Sequence, residues 1–186
     1  MLQRIFVLAV LSASTTVFAD AIDVNLSSDV AQVEYIAPMG SVGQGRSALH
    51  VGLLYNDSSN TMGSVGVMVN DSYGSATEVA LGVGVKAVVA SVDSEDAMAL
   101  TIGGQIRLTP LQDKAFGFVG QIYFAPAIAT FGDAERYAEF GIRAEYEFMP
   151  QTAAYVGYRK IKFDAKAVGQ DFTVDESVHV GVRVAF

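Results

Sequence analysis

One short stretch near the end of the chain holds residue types that could support hydrolysis: Glu176, Ser177 and His179. A serine nucleophile needs a base within hydrogen-bond reach, and a third group must orient that base. Ser177 and His179 are two residues apart, and such neighbours on one face of a strand lie about 6.5 Å apart. Because this spacing is too long for a direct contact, we interpret His179 as a structural histidine on the polar face of its strand, in the interior or at the rim of the fold. We predict no catalytic residues.

The other candidate ligands are two histidines and a set of acidic residues. His50 and His179 fall on predicted strands that are not neighbours, so the sequence does not favour a shared metal site. Hard cations such as Ca²⁺ need several oxygen ligands, but the acids of the predicted outer loops show no fixed ligand spacing (Asp133, Asp164, Asp171 and Asp175). Glycine-rich stretches such as "GVGVK" lie inside predicted strands and open no helix, so they are not phosphate-binding loops. We therefore expect no metal and no cofactor.

The elements that position these residues are strands, because apolar and polar residues alternate with a period of two along most of the chain. The clearest run is "YAEFGIRAEYEF", in which even positions from Ala138 to Phe148 are apolar and odd positions from Tyr137 to Glu147 are mostly polar or charged. Turn-forming residues separate the runs, and no stretch keeps a helical period. The pattern predicts an all-β chain.

The number of strands depends on a change of phase near Ser27 to Asp29. Read as a tight turn, the change gives ten strands; read as a bulge, it gives nine, whereas bacterial barrels have an even number. We predict ten strands, with eight as the alternative. Their predicted bounds are 21–27, 29–37, 46–55, 62–69, 77–89, 97–108, 115–125, 136–148, 152–163 and 176–186.

Composition favours a membrane barrel over a secreted β-sandwich or a lipocalin-like barrel. The mean hydropathy is positive at +0.34, yet no segment after residue 19 approaches the 18 consecutive apolar residues typical of a membrane helix. Apolar residues dispersed in alternation are typical of a transmembrane β-barrel.

The net charge of −8 argues against nucleic acid as a partner. The absence of cysteine excludes disulfides and a lipoprotein anchor.

Residues 1–19 have the organisation of a secretory signal peptide. A positive charge at Arg4 precedes an apolar stretch of signal-peptide length, and small residues at Val17 and Ala19 suit cleavage before Asp20. We therefore predict a signal peptide over 1–19, a barrel over 20–186, and export to the cell outer membrane.

The polar face of the strands indicates a narrow, filled interior. It carries many glycines, which in strands mark close approach, together with charged residues of both signs. Charges in a confined lumen must pair or be hydrated, so we predict an ion-pair network that plugs the interior. Its predicted members are Glu78, Lys86, Arg107, Glu139, Arg143, Glu145, Arg159 and Arg183.

The segment "QIYFAPAIATFGDAERYAEFGIRAEYEFMPQTAAYVGYRKIKF" resembles the YfaZ family of bacterial outer-membrane proteins. The shared features are an aromatic strand ending in Ala-Pro, a strand with Gly-x-Arg, a short Pro turn and "VGYR". The resemblance is strongest over about 97–186 and looser before that. It implies an outer-membrane β-barrel and no assigned activity. Separately, Phe186 on an alternating last strand is similar to the terminal signal by which outer-membrane barrels are recognised for assembly.

Three functional hypotheses remain open at this point. The first is a structural or interaction role through the outer loops, the second a narrow channel for small solutes, and the third, least favoured, an enzyme acting on lipid or peptide. The predicted partners are outer-membrane lipid and the barrel assembly machinery. Lys160 and Lys162 fall on the lipid-facing parity near a predicted outer rim, where they could meet anionic headgroups or extend into water.

Overall fold

A computed structural model describes residues 20–57, 60–74, 77–92, 95–110, 112–165 and 171–186. The predicted signal peptide, residues 1–19, lies outside these described residues. The described chain is almost entirely strand, apart from turns and one 3₁₀ turn at Ala127–Ala129. No helix in the described ranges is long and apolar enough to cross a membrane.

Ten long strands form the wall of the barrel, as the sequence predicts, and one short strand lies between two of them. The strands are β1 Ala21–Leu26, β2 Val30–Val42, β3 Gly45–Asn56, β4 Thr61–Tyr73, β5 Thr77–Val92, β6 Glu95–Pro110, β7 Phe116–Ala125, β8 Thr130–Gly132, β9 Ala134–Met149, β10 Thr152–Ala165 and β11 Asp171–Ala185.

Every strand of the wall is antiparallel to its neighbours, and the wall closes on itself. Consecutive strands pair in sequence order, and β1 pairs with β11 from Ala21↔Ala185 to Leu26↔Val180. At the seam, the backbone N–H of Phe186 donates to the carbonyl of Asp20 over 2.8 Å. Closure removes free strand edges, which lipid could not hydrogen-bond.

The phase change near residue 28 is a tight turn, so the ten-strand prediction is confirmed over the nine- and eight-strand alternatives. The backbone N–H of Ser27 donates to the carbonyl of Val30 over 2.8 Å, and its hydroxyl accepts from the N–H of Val30 over 3.0 Å. The short hydroxyl-bearing side chain thus holds the turn in place of a longer loop.

Several predicted connections are longer than those between the observed strands, and two of them show a physical reason. The stretch after residue 37 is predicted as a connection, but β2 continues to Val42 and a two-residue turn leads to Gly45. A register shift between Pro38 and Gly40 leaves Met39 as an extra residue, and this bulge breaks the alternation that the prediction depends on. The predicted outer loop after Ala125 likewise contains β8, which continues the ladder of β7 along β6 after the 3₁₀ turn.

The two ends of the barrel differ, and we name them by what they carry. The terminal end carries Asp20, Phe186 and the connections from β2 to β3, β4 to β5, β6 to β7 and β9 to β10. The loop end carries the connections from β1 to β2, β3 to β4, β5 to β6, β7 to β9 and β10 to β11.

The apolar face of the strands points outward, as predicted. Large apolar side chains exposed over the outer wall include Val83 at 69 %, Ile102 at 66 % and Val178 at 66 %. Charged residues are sparse there, and two pairs lie side by side on β10 and β11: Lys160–Glu176 at 2.8 Å and Lys162–Asp164 at 3.2 Å. A continuous apolar outer wall can be solvated by the hydrocarbon of a membrane. A closed antiparallel barrel with such a wall has the fold of a transmembrane β-barrel.

Candidate functional site in the barrel lumen

The lumen is built by the inward-facing residues, many of them glycines that leave room for long side chains. A Cβ atom added to Gly103 would lie 2.1 Å from the carbonyl oxygen of Ile122, and one added to Gly157 would lie 2.8 Å from His179 Nε2. These glycines are therefore places of close approach between neighbouring strands. The freed space is occupied by charged and aromatic side chains.

Glu145 is the centre of the charged cluster nearest the terminal end, and it is almost fully buried at 2 % exposure. Arg143 Nε lies 2.7 Å from Oε1, and Arg183 Nη2 lies 2.6 Å from Oε2. Arg107 makes a third ion pair with the same carboxylate. Three arginines from β6, β9 and β11 thus converge on one acid and tie distant parts of the wall together.

Asp23 extends this cluster from the opposite side of the seam. Its carboxylate accepts a hydrogen bond from the Tyr155 hydroxyl, and Arg143 Nη1 lies 3.3 Å from Oδ2. The Arg143 guanidinium carbon lies 4.8 Å from the centroid of the Tyr155 ring, within cation–π range. Arg143 is therefore held by two acids and one aromatic ring.

A second cluster, higher in the lumen, is centred on Glu139. Its carboxylate forms an ion pair with Lys86, accepts a hydrogen bond from the Tyr137 hydroxyl, and accepts another from Gln121 Nε2 at 3.0 Å. The Lys86 ammonium also lies 4.1 Å from the centroid of the Tyr123 ring. Both charges are thus satisfied inside the barrel, as buried charges require.

A third cluster joins β10, β11 and β1. Arg159 Nε donates to Asp175 Oδ2 over 2.6 Å, and Arg159 Nη1 donates to Asn25 Oδ1 over 3.2 Å. The Ser177 hydroxyl donates to Asp175 Oδ1 over 2.7 Å. Asp175 faces the lumen on the same parity as Ser177 and His179, and the register shift after Ile161 in β10 leaves the next residue toward the loop end, Val174, as an extra residue on β11.

Above these clusters, the loop end is filled by apolar side chains. We call five of them the loop-end cluster; each is at most 1 % exposed: Leu54, Tyr137, Ile161, Phe163 and Val174. The Tyr137 and Phe163 rings meet edge to face, with centroids 4.8 Å apart. The cluster closes the lumen at this end.

Between the loop-end cluster and the terminal end lies a cavity of about 330 Å³. Strands from the whole circumference line it, and His50, Lys86, Arg143 and His179 are among its wall residues. His50 Nδ1 lies 3.3 Å from Glu34 Oε1. This cavity is the candidate functional site.

Seven of the eight predicted network residues lie in the lumen and form ion pairs there: Lys86, Arg107, Glu139, Arg143, Glu145, Arg159 and Arg183. The eighth, Glu78, is exposed near the start of β5 at the terminal end. The sequence reasoning missed the two aspartates that complete the clusters, Asp23 and Asp175. Asp23 has a usable signal, since it alternates with the outward-facing Ile22 and Val24.

The hydrolase hypothesis finds no matching geometry. The Ser177 hydroxyl donates to Asp175, whereas His179 packs edge-on against Tyr155 with ring centroids 5.9 Å apart. Within the described ranges, His179 Nδ1 has no hydrogen-bond partner. A serine whose hydroxyl is directed to a carboxylate, with no histidine contact, lacks the base that nucleophilic catalysis needs.

The candidate metal ligands are dispersed. Among the described residues, no group of three or more histidines and acids is placed to hold a metal ion. Asp175 is buried against Arg159, Asp164 pairs with Lys162 on the outer wall, and Asp133 lies in the turn after β8. Asp171 begins β11.

Comparison with solved structures finds porins and a channel that align with most of this chain at low similarity. The NanC porin is 13 % identical, with a TM-score of 0.46 over 90 % of this chain and 99 % of that one. The KdgM porin is 10 % identical, with a TM-score of 0.45 over 91 % and 99 %. The outer membrane channel DcaP of Acinetobacter baumannii is 13 % identical, with a TM-score of 0.41 over 88 % and 54 %.

A comparison with curated proteins found no match. A family model described as "YfaZ precursor", by contrast, matches residues 2–186. The match extends well beyond the segment 97–186 that carries the strongest resemblance in the sequence. The chain therefore belongs to the YfaZ family.

Proposed function

We propose that the chain is an integral outer-membrane protein whose barrel does not conduct solutes and serves as a rigid support for its outer loops. The observation that carries this proposal is the loop-end cluster, whose five side chains are at most 1 % exposed. A solute crossing the barrel would have to displace these packed apolar side chains. Hydrophobic constrictions also block ions, because water does not enter them readily.

Placement in the outer membrane is supported by the outer wall and the ring closure. Exposed side chains such as Val83 and Ile102 would be costly in water, at about 25 cal/mol for each Å² of apolar surface. Hydrocarbon removes that cost, and a closed barrel leaves no strand edge to satisfy. Even-numbered antiparallel barrels of this kind are the outer-membrane type.

Support for a role of the loop end comes from hydrogen bonds that hold its turns to one another and to the start of β6. The backbone N–H of Asp57 donates to the carbonyl of Asp29 over 2.9 Å, which joins the second outer turn to the first. The N–H of Asp133 donates to the carbonyl of Asp96 over 3.1 Å, and the N–H of Asp96 donates to Asp133 Oδ2 over 3.3 Å. Turns held to one another in this way present a fixed polar surface, which suits recognition by a partner.

Assembly through the last strand is part of the same proposal. The β11 strand alternates outward residues (Val178, Val180, Val182 and Val184) with lumen residues, and Phe186 at its end is 63 % exposed. An exposed terminal aromatic on such a strand is available to the barrel assembly machinery before the ring closes.

Planar-bilayer recording of the purified full-length barrel tests the non-conducting state. We expect silent bilayers at protein amounts that give stepwise currents with an open porin as the positive control. Heat-modifiable gel mobility of the same preparation would show that the inserted protein is folded. Stepwise currents from the folded protein would overturn this proposal in favour of a narrow channel.

A further inference from the structure

The lumen cavity is open to solvent from one side only. Side-chain exposure falls from the terminal end upward: Arg107 is 34 % exposed, Arg183 20 % and Lys86 12 %. At the loop-end cluster, Tyr137 and Phe163 are at 0 %. The cavity is thus a blind pocket, and its entrance lies at the terminal end.

The charged walls of the pocket are already neutralised by one another. Each of its three most central cations has a carboxylate within ion-pair distance: Lys86 has Glu139, Arg159 has Asp175, and Arg143 has Glu145 and Asp23. An ionic ligand would have to break such a pair, and leaving one buried charge without its partner is strongly unfavourable. The pocket therefore disfavours a charged ligand.

Hydrogen-bonding capacity is supplied by carboxamides instead. Five of them line the pocket: Asn25, Gln32, Asn70, Gln105 and Gln121. Gln105 Nε2 donates to Asn70 Oδ1 over 2.8 Å, and Asn25 Nδ2 donates to Gln32 Oε1 over 3.1 Å. A carboxamide has two N–H donors and two acceptor lone pairs. Asn25 Oδ1 also accepts from Arg159, and Gln121 Nε2 donates to Glu139. Among the described residues, the carboxamide groups left without a hydrogen bond are the donors Gln32 Nε2 and Asn70 Nδ2 and the acceptors Gln105 Oε1 and Gln121 Oε1.

His179 adds an independent observation. It lines the pocket, is 6 % exposed, and its Nδ1 has no hydrogen-bond partner among the described residues. A buried polar atom without a partner costs about 1–3 kcal/mol unless something satisfies it. Because Nδ1 lies too deep for a water molecule to touch, a ligand hydroxyl would satisfy it only after the imidazole ring turns toward the cavity.

From these features we propose that the cavity binds a compact, neutral, hydroxyl-rich molecule of the polyol or monosaccharide class, which enters from the terminal end. A volume of about 330 Å³ lies at the lower end of small-molecule sites, which span ~300–1,000 Å³. This binding role is separate from the support role of the barrel. The two proposals share only one premise, that the loop-end cluster closes the lumen.

Saturation-transfer-difference NMR on the full-length barrel tests the proposal. The detergent should be a dimethylamine oxide, because sugar-headed detergents would compete for the pocket. The neutral probes are D-glucose and myo-inositol, and the matched charged probes are glucuronate and glucosamine, which keep the pyranose ring. We expect saturable binding of at least one neutral probe. We expect the charged probes to bind at least about tenfold more weakly, a difference in binding free energy equivalent to one ordinary hydrogen bond.

Two variants locate the site. Gln105→Leu removes a carboxamide inside the pocket, whereas Gln112→Leu makes the same change at an exposed position outside it. We expect Gln105→Leu to weaken neutral-probe binding about tenfold and Gln112→Leu to leave it unchanged. If Gln105→Leu does not fold, the comparison of neutral and charged probes on the unaltered protein still tests whether the pocket binds neutral ligands selectively.

The proposed ligand-binding role of the pocket would be overturned by any of three results: no saturable binding, equal effects of the two variants, or stronger binding of a charged probe. A barrel that is silent in bilayers and binds no probe would remove the pocket and leave the non-conducting support intact. The two proposals can therefore fail separately.

Discussion

The Tyr137 hydroxyl donates a hydrogen bond to the Glu139 carboxylate, while the Tyr137 ring packs on Phe163. One side chain therefore belongs both to the loop-end cluster and to the ion-pair network. Since Tyr137 is fully buried, no water can replace it as a donor without opening the cluster. Closure of the loop end and pairing of the lumen charges are mechanically coupled through this residue.

Tyr137→Phe keeps the ring and removes only the donor. We expect the free energy of unfolding to fall by about 1.5–3 kcal/mol, the range for a hydrogen bond to a charged group, measured by urea unfolding in lipid vesicles. Tyr158→Phe is the matched control, because the Tyr158 hydroxyl donates over 3.0 Å to the exposed Glu176. An equal loss in the two variants would contradict the coupling.

Glu145→Gln removes the charge on which three arginines converge. We expect the free energy of unfolding to fall by up to about 3–5 kcal/mol, the cost of breaking a buried ion pair from one side, reduced by water that reaches Arg107. Unfolding titrations at low and high salt would measure it. Glu78→Gln, the same change at an exposed position of the terminal end outside the ion-pair network, should leave stability unchanged. A stable Glu145→Gln barrel would show that the arginines do not depend on this acid.

Gly157→Ala tests the close approach of strands in the lumen. The new Cβ would lie 2.8 Å from the Ile142 carbonyl oxygen and 2.9 Å from Arg143 Cβ, so the wall must shift, at a cost of about 1–3 kcal/mol. Gly63→Ala is the control, since its Cβ would meet only Leu53 Cδ2, at 3.8 Å. The temperature at which heat-modifiable mobility is lost should fall for Gly157→Ala alone; the opposite order would remove the crowding argument.

Phe186→Ala tests the proposed assembly signal. The backbone hydrogen bond from Phe186 to Asp20 survives the change, so a barrel that does form should be as stable as the unaltered one. We expect the amount of folded protein in the outer-membrane fraction to fall severalfold. Phe148→Ala, another exposed aromatic of the outer wall, should assemble normally. Unchanged amounts of the Phe186→Ala protein would exclude the terminal aromatic as the signal.

The sequence predicts the wall of this barrel well, because a period of two repeated over ten strands leaves few alternatives for the apolar face. The parity that places Ile142 outside also places Arg143 and Glu145 inside, so most of the lumen charges follow from alternation alone. What alternation cannot supply is which charges meet, because that depends on how far each strand is staggered against the next.

The remaining errors come from strand ends and bulges. The predicted last strand begins at Glu176, one residue too late to include Asp175, which is therefore assigned to an outer loop although it continues the lumen parity of Ser177 and His179. The extra residue Val174 shifts the phase only beyond Asp175. The loop-end cluster was missed for a different reason. Ile161 and Phe163 lie on the lumen parity of β10, but an apolar pair on a polar face has no distinctive signal until its neighbours on other strands are known.

The seam between β1 and β11 determines whether the barrel closes within a single chain. Until the residues from Val180 to Ala185 are in place, β1 and the growing last strand each present an unpaired edge, and any extended segment could add to either. A chain stopped after β10 would keep both edges permanently and would be prone to aggregation. The closing strand therefore decides whether the edges pair within one chain or between different chains.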